Sequence, residues 1–206
     1  MCRMLLALPA AMTVACAAGI SPNASVTYIA PNGVTLNRLA ILPVAAAEEL
    51  QGFRGVTEDS LFANATRLRP EVQVTSADET LAILEAKGHA KAYAEMVVTY
   101  EQTGLLDKEV LRRLASALDV DHLLRVHLSY SEGSSYNVFL GHRDNQLVQL
   151  AAQLWDAELG EVVWRSSGGA KVSALEFEAN RKFVEILAVA CRDVVGKLPA
   201  GTFNGN

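Results

Sequence analysis

The sequence predicts an α/β domain: a single mixed sheet of four or five strands with helices packed on its faces. Three observations predict it. Leu39-Ala40-Ile41-Leu42-Pro43-Val44 is a continuous apolar run, as expected of a strand buried on both faces, and Pro43 lies near its end where a missing N–H is tolerated. Residues His122 to Tyr130 alternate instead, with Leu124, Val126, Leu128 and Tyr130 set against Arg125, His127 and Ser129. That period gives one core face and one face that is wet or covered by polar contacts. Between and after these strands lie segments of helical period that carry their own start and stop signals.

Taken in order, Thr57 is a candidate cap for a helix whose Leu61, Phe62, Ala65 and Leu68 form one face and which ends before Pro70. A short strand follows, Val72 to Thr75. Ser76-Ala77-Asp78-Glu79 is a capping box, and the helix it opens turns Leu81 and Leu84 inward and stops at Gly88. Tyr93, Met96, Val97 and Tyr100 mark another helix, closed by Gly104, and Asp107 caps a fourth with Val110, Leu111, Leu114 and Leu118 at helical spacing. Beyond the long strand, Ser131 to Asp144 reads as a loop. Val148, Leu150, Ala152 and Leu154 then alternate, and Asp156 to Glu161 turns the chain into Val162-Val163-Trp164, giving a hairpin. A second capping box, Ser173-Ala174-Leu175-Glu176, is expected to open a final helix with Phe177, Val184, Leu187, Cys191 and Val194 on the sheet.

The chain has 206 residues, half of them hydrophobic and a fifth charged, which suits one domain with a core of its own and excludes a disordered chain. Its formal charge is −5. An acidic surface without a basic run disfavours nucleic acid.

Residues 1–15 have the build of an export signal: Arg3 as the positive end, an apolar stretch from Met4 to Met12 too short to span a bilayer, then small residues before Cys16. Thr13-Val14-Ala15-Cys16 resembles a bacterial lipobox, with Thr13 where Leu is usual. By that resemblance Cys16 is the lipidation site, and Ala17, which is not the Asp that favours retention at the inner membrane, directs the protein to the outer membrane. An ordinary cleaved signal, leaving a soluble periplasmic protein, is the alternative. Residues 16–37 then read as a lipidated tether of about 25 Å average span, of which Ser25 to Ala30 is able to add an edge strand. The α/β domain is expected over 38–198 and a disordered tail over 199–206.

Three segments carry a wider resemblance: Leu39 to Val44, Leu118-Asp119-Val120-Asp121-His122-Leu123-Leu124, and Leu154 to Trp164. They resemble the first strand, a characteristic strand entry and the Asp-to-Trp hairpin of a superfamily of envelope domains. That group includes the curli secretion lipoprotein, the lipoprotein activators of penicillin-binding proteins and the N-terminal domain of the Tol system's β-propeller protein. Leu159 stands where the group usually has Thr. The resemblance implies a fold and a compartment over about residues 38 to 195. The curli channel builds its pore from long hairpins inserted in this domain, and the Ser131 to Asp144 stretch is too short for two such strands of about 9 to 11 residues.

Local fingerprints of metalloproteases, serine hydrolases and nucleotide binders are not found in the sequence. His122 and His127 differ by an odd number on one strand, so they point to opposite faces and cannot share a metal. Cys191, on the apolar stripe of the last helix, reads as a small buried hydrophobe. Tyr130, Tyr136 and Phe139 either form an aromatic contact surface or finish the core, and Glu48, Glu49 and Glu101 read as solvated charges. The sequence therefore leads to a lipid-anchored periplasmic interaction module, non-catalytic and without a cofactor, which assists assembly or regulation of an envelope machine through an envelope protein partner. A homo-oligomer is compatible with it. The alternative is a periplasmic lipid- or glycan-binding protein, which would need a sizeable pocket.

Overall fold

The computed structural model describes residues 20–137, 141–174 and 179–200, and their side chains except at 132–146 and 172–182. In these residues the α/β class holds, but the sheet has eight strands where four or five are expected. They are β1 Ser21–Pro22, β2 Ser25–Ile29, β3 Arg38–Ile41, β4 Ala45–Ala46, β5 Gln73–Thr75, β6 His122–Asn137, β7 Gly141–Asp156 and β8 Glu161–Ala174. The helices are α1 Arg54–Leu68, α2 Ala77–Ala86, α3 Ala90–Thr103, α4 Lys108–Leu118 and α5 Ala179–Gly196, with a 3₁₀ helix Glu48–Phe53 leading into α1. The extra strands are two-residue or edge pairings. Ser21–Pro22 and Ala45–Ala46 are too short to show a period, and they form because a neighbour's ladder is open to them.

The main strand order is β1-β8-β7-β6-β3-β5, with β2 also on β8 and β4 on β6. Pairings of β3 with β5 and β6 are parallel, and β6, β7 and β8 form an antiparallel meander. At β3 helices lie on both faces, so this strand is buried on both sides. Leu39 and Ile41 enter a core built with α1 and α5, whereas Ala40 and Leu42 enter a second core built with α2, α3 and α4. The same division splits β6 between Leu124, Val126 and Leu128 on one side and Leu123 on the other. This is why residues 39–44 read as one apolar run while β6 reads as alternating.

Several caps stand as the sequence predicts. The Ser76 hydroxyl accepts from the Glu79 amide (3.3 Å) and Asp107 Oδ1 from the Val110 amide (3.0 Å). Gly104 closes α3 in the left-handed region at φ 72°. Thr57 is not a cap. The helix begins at Arg54, one turn earlier, because the 3₁₀ helix feeds it, and the buried Thr57 hydroxyl donates to the Phe53 carbonyl (2.7 Å). Ser173 does not cap α5 either: it lies in β8, paired with Asn145, while Leu175, Glu176 and Phe177 lie outside the described residues. The buried stripe of α5 is Phe183, Ile186, Leu187, Ala190, Cys191 and Val194, and Val184 is 40% exposed. Spacings of three and four from Phe183 place it on the sheet, a phase that Val184 does not share.

Ser131 to Asp144 is no plain loop. Ser131↔Leu147 through Asn137↔Gly141 are ladder pairs that continue the hairpin. A Gly/Ser-rich stretch carries no apolar alternation from which a strand is read, and here the backbone ladder is what marks the extension. Each arm adds seven paired residues, short of the about 9 to 11 of a membrane-spanning strand.

Residues 16–37 are in large part docked, not a free tether. β1 and β2 run antiparallel along β8, and Leu36 is fully buried in the core. At the other end the Arg69 guanidinium donates to the carbonyls of Gly196 (3.0 Å) and Leu198 (2.6 Å), and Pro199, expected in the tail, is buried beside them.

Candidate functional site

Cys16 and the signal segment 1–15 lie outside the described residues, as do Phe139 and residues 201–206. What the structure adds is the attachment of the chain that follows Cys16. The Asn23 amide donates to the Gly169 carbonyl (3.0 Å), the Gly169 amide to Asn23 Oδ1 (2.7 Å), and the Ala24 amide to Asp193 Oδ2 on α5 (2.6 Å). This close crossing needs Gly168, where a Cβ would run into Ala24. From Ser21 back to Cys16 an extended chain reaches about 18 Å at most.

His122 and His127 are not brought together. His122 is buried at the start of β6 with Nε2 3.5 Å from Asp156 Oδ2, whereas His127 lies half-buried on the opposite face. Burial lowers the His122 pKa, outweighing the carboxylates of Asp156 and Asp121 that raise it. Among the described residues no group of three His, Cys, Asp or Glu side chains is placed to hold a metal. Cys191 is fully buried; burial pushes its thiol up to about 12, and its Sγ–H points to the Thr57 carbonyl at 4.0 Å.

The acidic hairpin turn is scaffolding. Asp156 Oδ1 accepts from the amides of Glu158 (2.8 Å) and Leu159 (2.7 Å), and Gly160 completes the bend at φ 69°. Asp156 thus joins the two sequence segments singled out above, the turn on one side and His122 on the other. At the same end, Arg38 on β3 binds Asp119 and Asp121, the latter at 2.7 Å, fixing the left-handed Asp119 at φ 55°. Tyr130 packs edge-on to Phe183 at 5.5 Å, which is the core-finishing role; the side chain of Tyr136 is outside the described residues.

One face remains open. On β6, β7 and β8 the even positions from 124, 148 and 164 turn to the core under α5, and the odd positions turn to the side of α3. Coverage by α3 extends only to Arg125 and Gln153. Glu101 is a partner there and not a free charge: it binds Arg125 at 2.6 Å, while the Arg125 guanidinium lies over the Tyr100 ring (5.5 Å) and Tyr100 donates to Gln153 Oε1 (2.8 Å). Farther along, Gln149, Ala151, Arg165, Ser167 and Lys171 are exposed, and His127, Ser129 and Leu147 are half-buried without a helix over them. Two depressions mark this side. One, of about 370 Å³, lies between the α3–α4 loop and β8, with Tyr28, Tyr100, Glu161 and Arg165 in its walls. The other, of about 240 Å³, has Ser129, Gln149, Ala151 and Ser167. The polar half of the β6 alternation signalled this face; that helices leave it open was not readable.

The architecture is therefore a two-core α/β domain whose antiparallel meander outruns its helical cover. Among solved structures it is similar to PelC from Paraburkholderia phytofirmans, a dodecamer, with a TM-score of 0.51 at 12% identity over 88% of this chain and 100% of that one. It is also matched with lipoprotein GNA1162 of Neisseria meningitidis (0.41, 16%, 73% and 92%) and the LpoB C-terminal domain of Salmonella enterica (0.33, 18%, 68% and 85%). The likeness to PelC is one of fold. No protein-family model matches the chain, and no curated protein matches it in sequence.

Proposed function

We propose that the protein is exported, lipid-anchored through Cys16 on the periplasmic side of the outer membrane, and acts without catalysis or cofactor as an interaction module of a cell-envelope machine. The observation that carries this reading is the sequence Thr13-Val14-Ala15-Cys16 at the end of a short apolar signal, directly ahead of a docked domain. No helix among the described residues is long and apolar enough to cross a membrane, so covalent lipid is the attachment this reading requires. Fold similarity to PelC, which assembles as a dodecamer, supports self-association as one mode of contact. An envelope protein is the expected partner, and the acidic chain is expected to leave nucleic acid alone.

Mass spectrometry of the native mature N-terminus tests the anchor: a diacylglyceryl cysteine at residue 16 is expected, and an unmodified N-terminus beyond it would leave a soluble periplasmic domain. Crosslinking in intact cells followed by pull-down tests the module. A specific envelope protein, or a ladder of copies of this chain, is expected, and recovery of uncrosslinked monomer alone would count against it.

A further inference from the structure

We infer that the uncovered face of β6, β7, β8 and β2 is a binding surface for an acidic glycan, with Arg165 and Lys171 holding its carboxylates and Ser129, Gln149 and Ser167 its hydroxyls. The inference does not depend on the anchor at Cys16.

Charge is the first argument. The chain carries −5 overall, yet the uncovered odd positions from 127 to 131, 147 to 151 and 165 to 171 carry two cations, Arg165 and Lys171, and no acid. Among the described residues, Glu101 at its border is held by Arg125, and Glu161 lines the larger depression together with Arg165. A cationic strip on an acidic protein attracts an anionic ligand while the remaining surface repels it, which orients its approach.

Chemistry and shape are the second. Apart from Tyr28 and the small Ala151 the exposed side chains at the odd positions are hydroxyls, amides and cations, with Leu147 half-buried among them, while the larger depression is lined by Leu105, Leu106 and Val162 as well as by Tyr28, Tyr100, Glu161 and Arg165. A protein hot spot centres on a large apolar or aromatic anchor in a desolvated pocket, and the second depression, walled by Asn23, Ser25, Ser129, Gln149 and Ser167, offers no aromatic one. A lipid needs a closed apolar cavity, and both depressions are open to solvent. Sugars instead take planar amides and hydroxyls along their edges and an aromatic ring against their faces. Tyr28, 41% exposed with the Arg165 guanidinium 5.9 Å from its ring, offers such a ring beside a carboxylate partner. Across four strands the strip is about 15 Å wide, so the two depressions, bridged by β8 from Arg165 to Ser167, are within reach of one oligosaccharide.

Titration calorimetry on the full chain in detergent, with hexagalacturonate as probe and maltohexaose and hexaglutamate as controls, tests the inference. Hexagalacturonate is expected to bind, and to weaken by at least roughly tenfold between about 25 and about 250 mM salt. It is expected to weaken by a similar factor in Arg165→Gln/Lys171→Gln, whose solvent-exposed positions leave Tm unchanged. Gln149→Trp, which fills the second depression without altering charge, is expected to block binding as well. No binding of hexagalacturonate, equal binding of maltohexaose, or full affinity in both variants overturns the proposal. A match by hexaglutamate also overturns it, in favour of an acidic peptide surface.

Discussion

His122 and Cys191 are the two buried titratable groups of the strand and helix that meet in the core, and both are held in their neutral form. An imidazole enclosed at the β6 start sheds its proton more readily than in water, because burial penalises the charged ring more than Asp156 and Asp121 favour it. The unfolded chain takes up that proton from about pH 6.5 downward while the folded chain does not. Stability from His122 is therefore complete above about 6.5 and falls as pH drops toward the lowered folded value, below which it levels off. Urea midpoints measured from pH 7.5 to 5 are expected to fall less steeply in His122→Asn than in the parent chain; parallel slopes would mean the ring is solvated. Cys191, with its thiol pushed up to about 12 by burial, is expected to resist thiol reagents until the chain unfolds. Cys191→Ala is expected to cost about 1 kcal/mol of packing, and rapid labelling of native protein would contradict the burial.

At the scale of elements, the β7–β8 turn shows what a sequence makes legible. Asp156, Gly160 and the two flanking alternations locate the hairpin because turn chemistry is local, and Gly160 has the positive φ such a turn needs. Gly160→Val would force a β-branched residue into φ 69° and drive its Cβ against the Lys108 side chain. The expected loss is on the order of 2 kcal/mol, or about 5 °C in Tm for a chain of this size, and an unchanged Tm would place the bend elsewhere. Capping at Ser76 and Asp107 was legible for the same local reason. The start of α1 was not, since the 3₁₀ helix before Thr57 owes its place to packing of Leu50 and Phe53 and carries no cap motif. Nor was the hairpin extension: its Gly and Ser residues gain order only from a partner strand, information that no single segment contains.

For the whole molecule the decisive element is the segment from Ser21 to Leu36. Composition makes it a tether, small and polar with Pro22, Pro31 and Gly33, and only the β-formers Ser25 to Ala30 hint that it docks. Its place on the sheet depends on residues over a hundred positions away, Gly168, Gly169 and Asp193, so a window of sequence could not reveal it. The open face was half-legible in the same sense, its polarity written in β6 but its exposure set by where α3 ends. An α/β domain over 38–198 with its own caps and apolar faces is expected from sequence to fold without the residues before it. The docked strap changes that expectation. A chain beginning at Leu36 would lose the Asn23–Gly169 and Ala24–Asp193 hydrogen bonds, each worth about 1 kcal/mol net, and uncover part of Trp164, which Ile29 now pairs with. It would also turn β8, fourteen residues long with a Gly-Gly pair at its middle, into a bare edge open to another chain. Compared with a chain beginning at Ala17, the shorter one is expected to unfold at lower urea, by about 2 kcal/mol or more, and to self-associate with rising concentration in sedimentation runs. Equal urea midpoints and a monomer at every concentration would show that residues 17–35 only tether the domain, and would free the anchor to hold it at a distance.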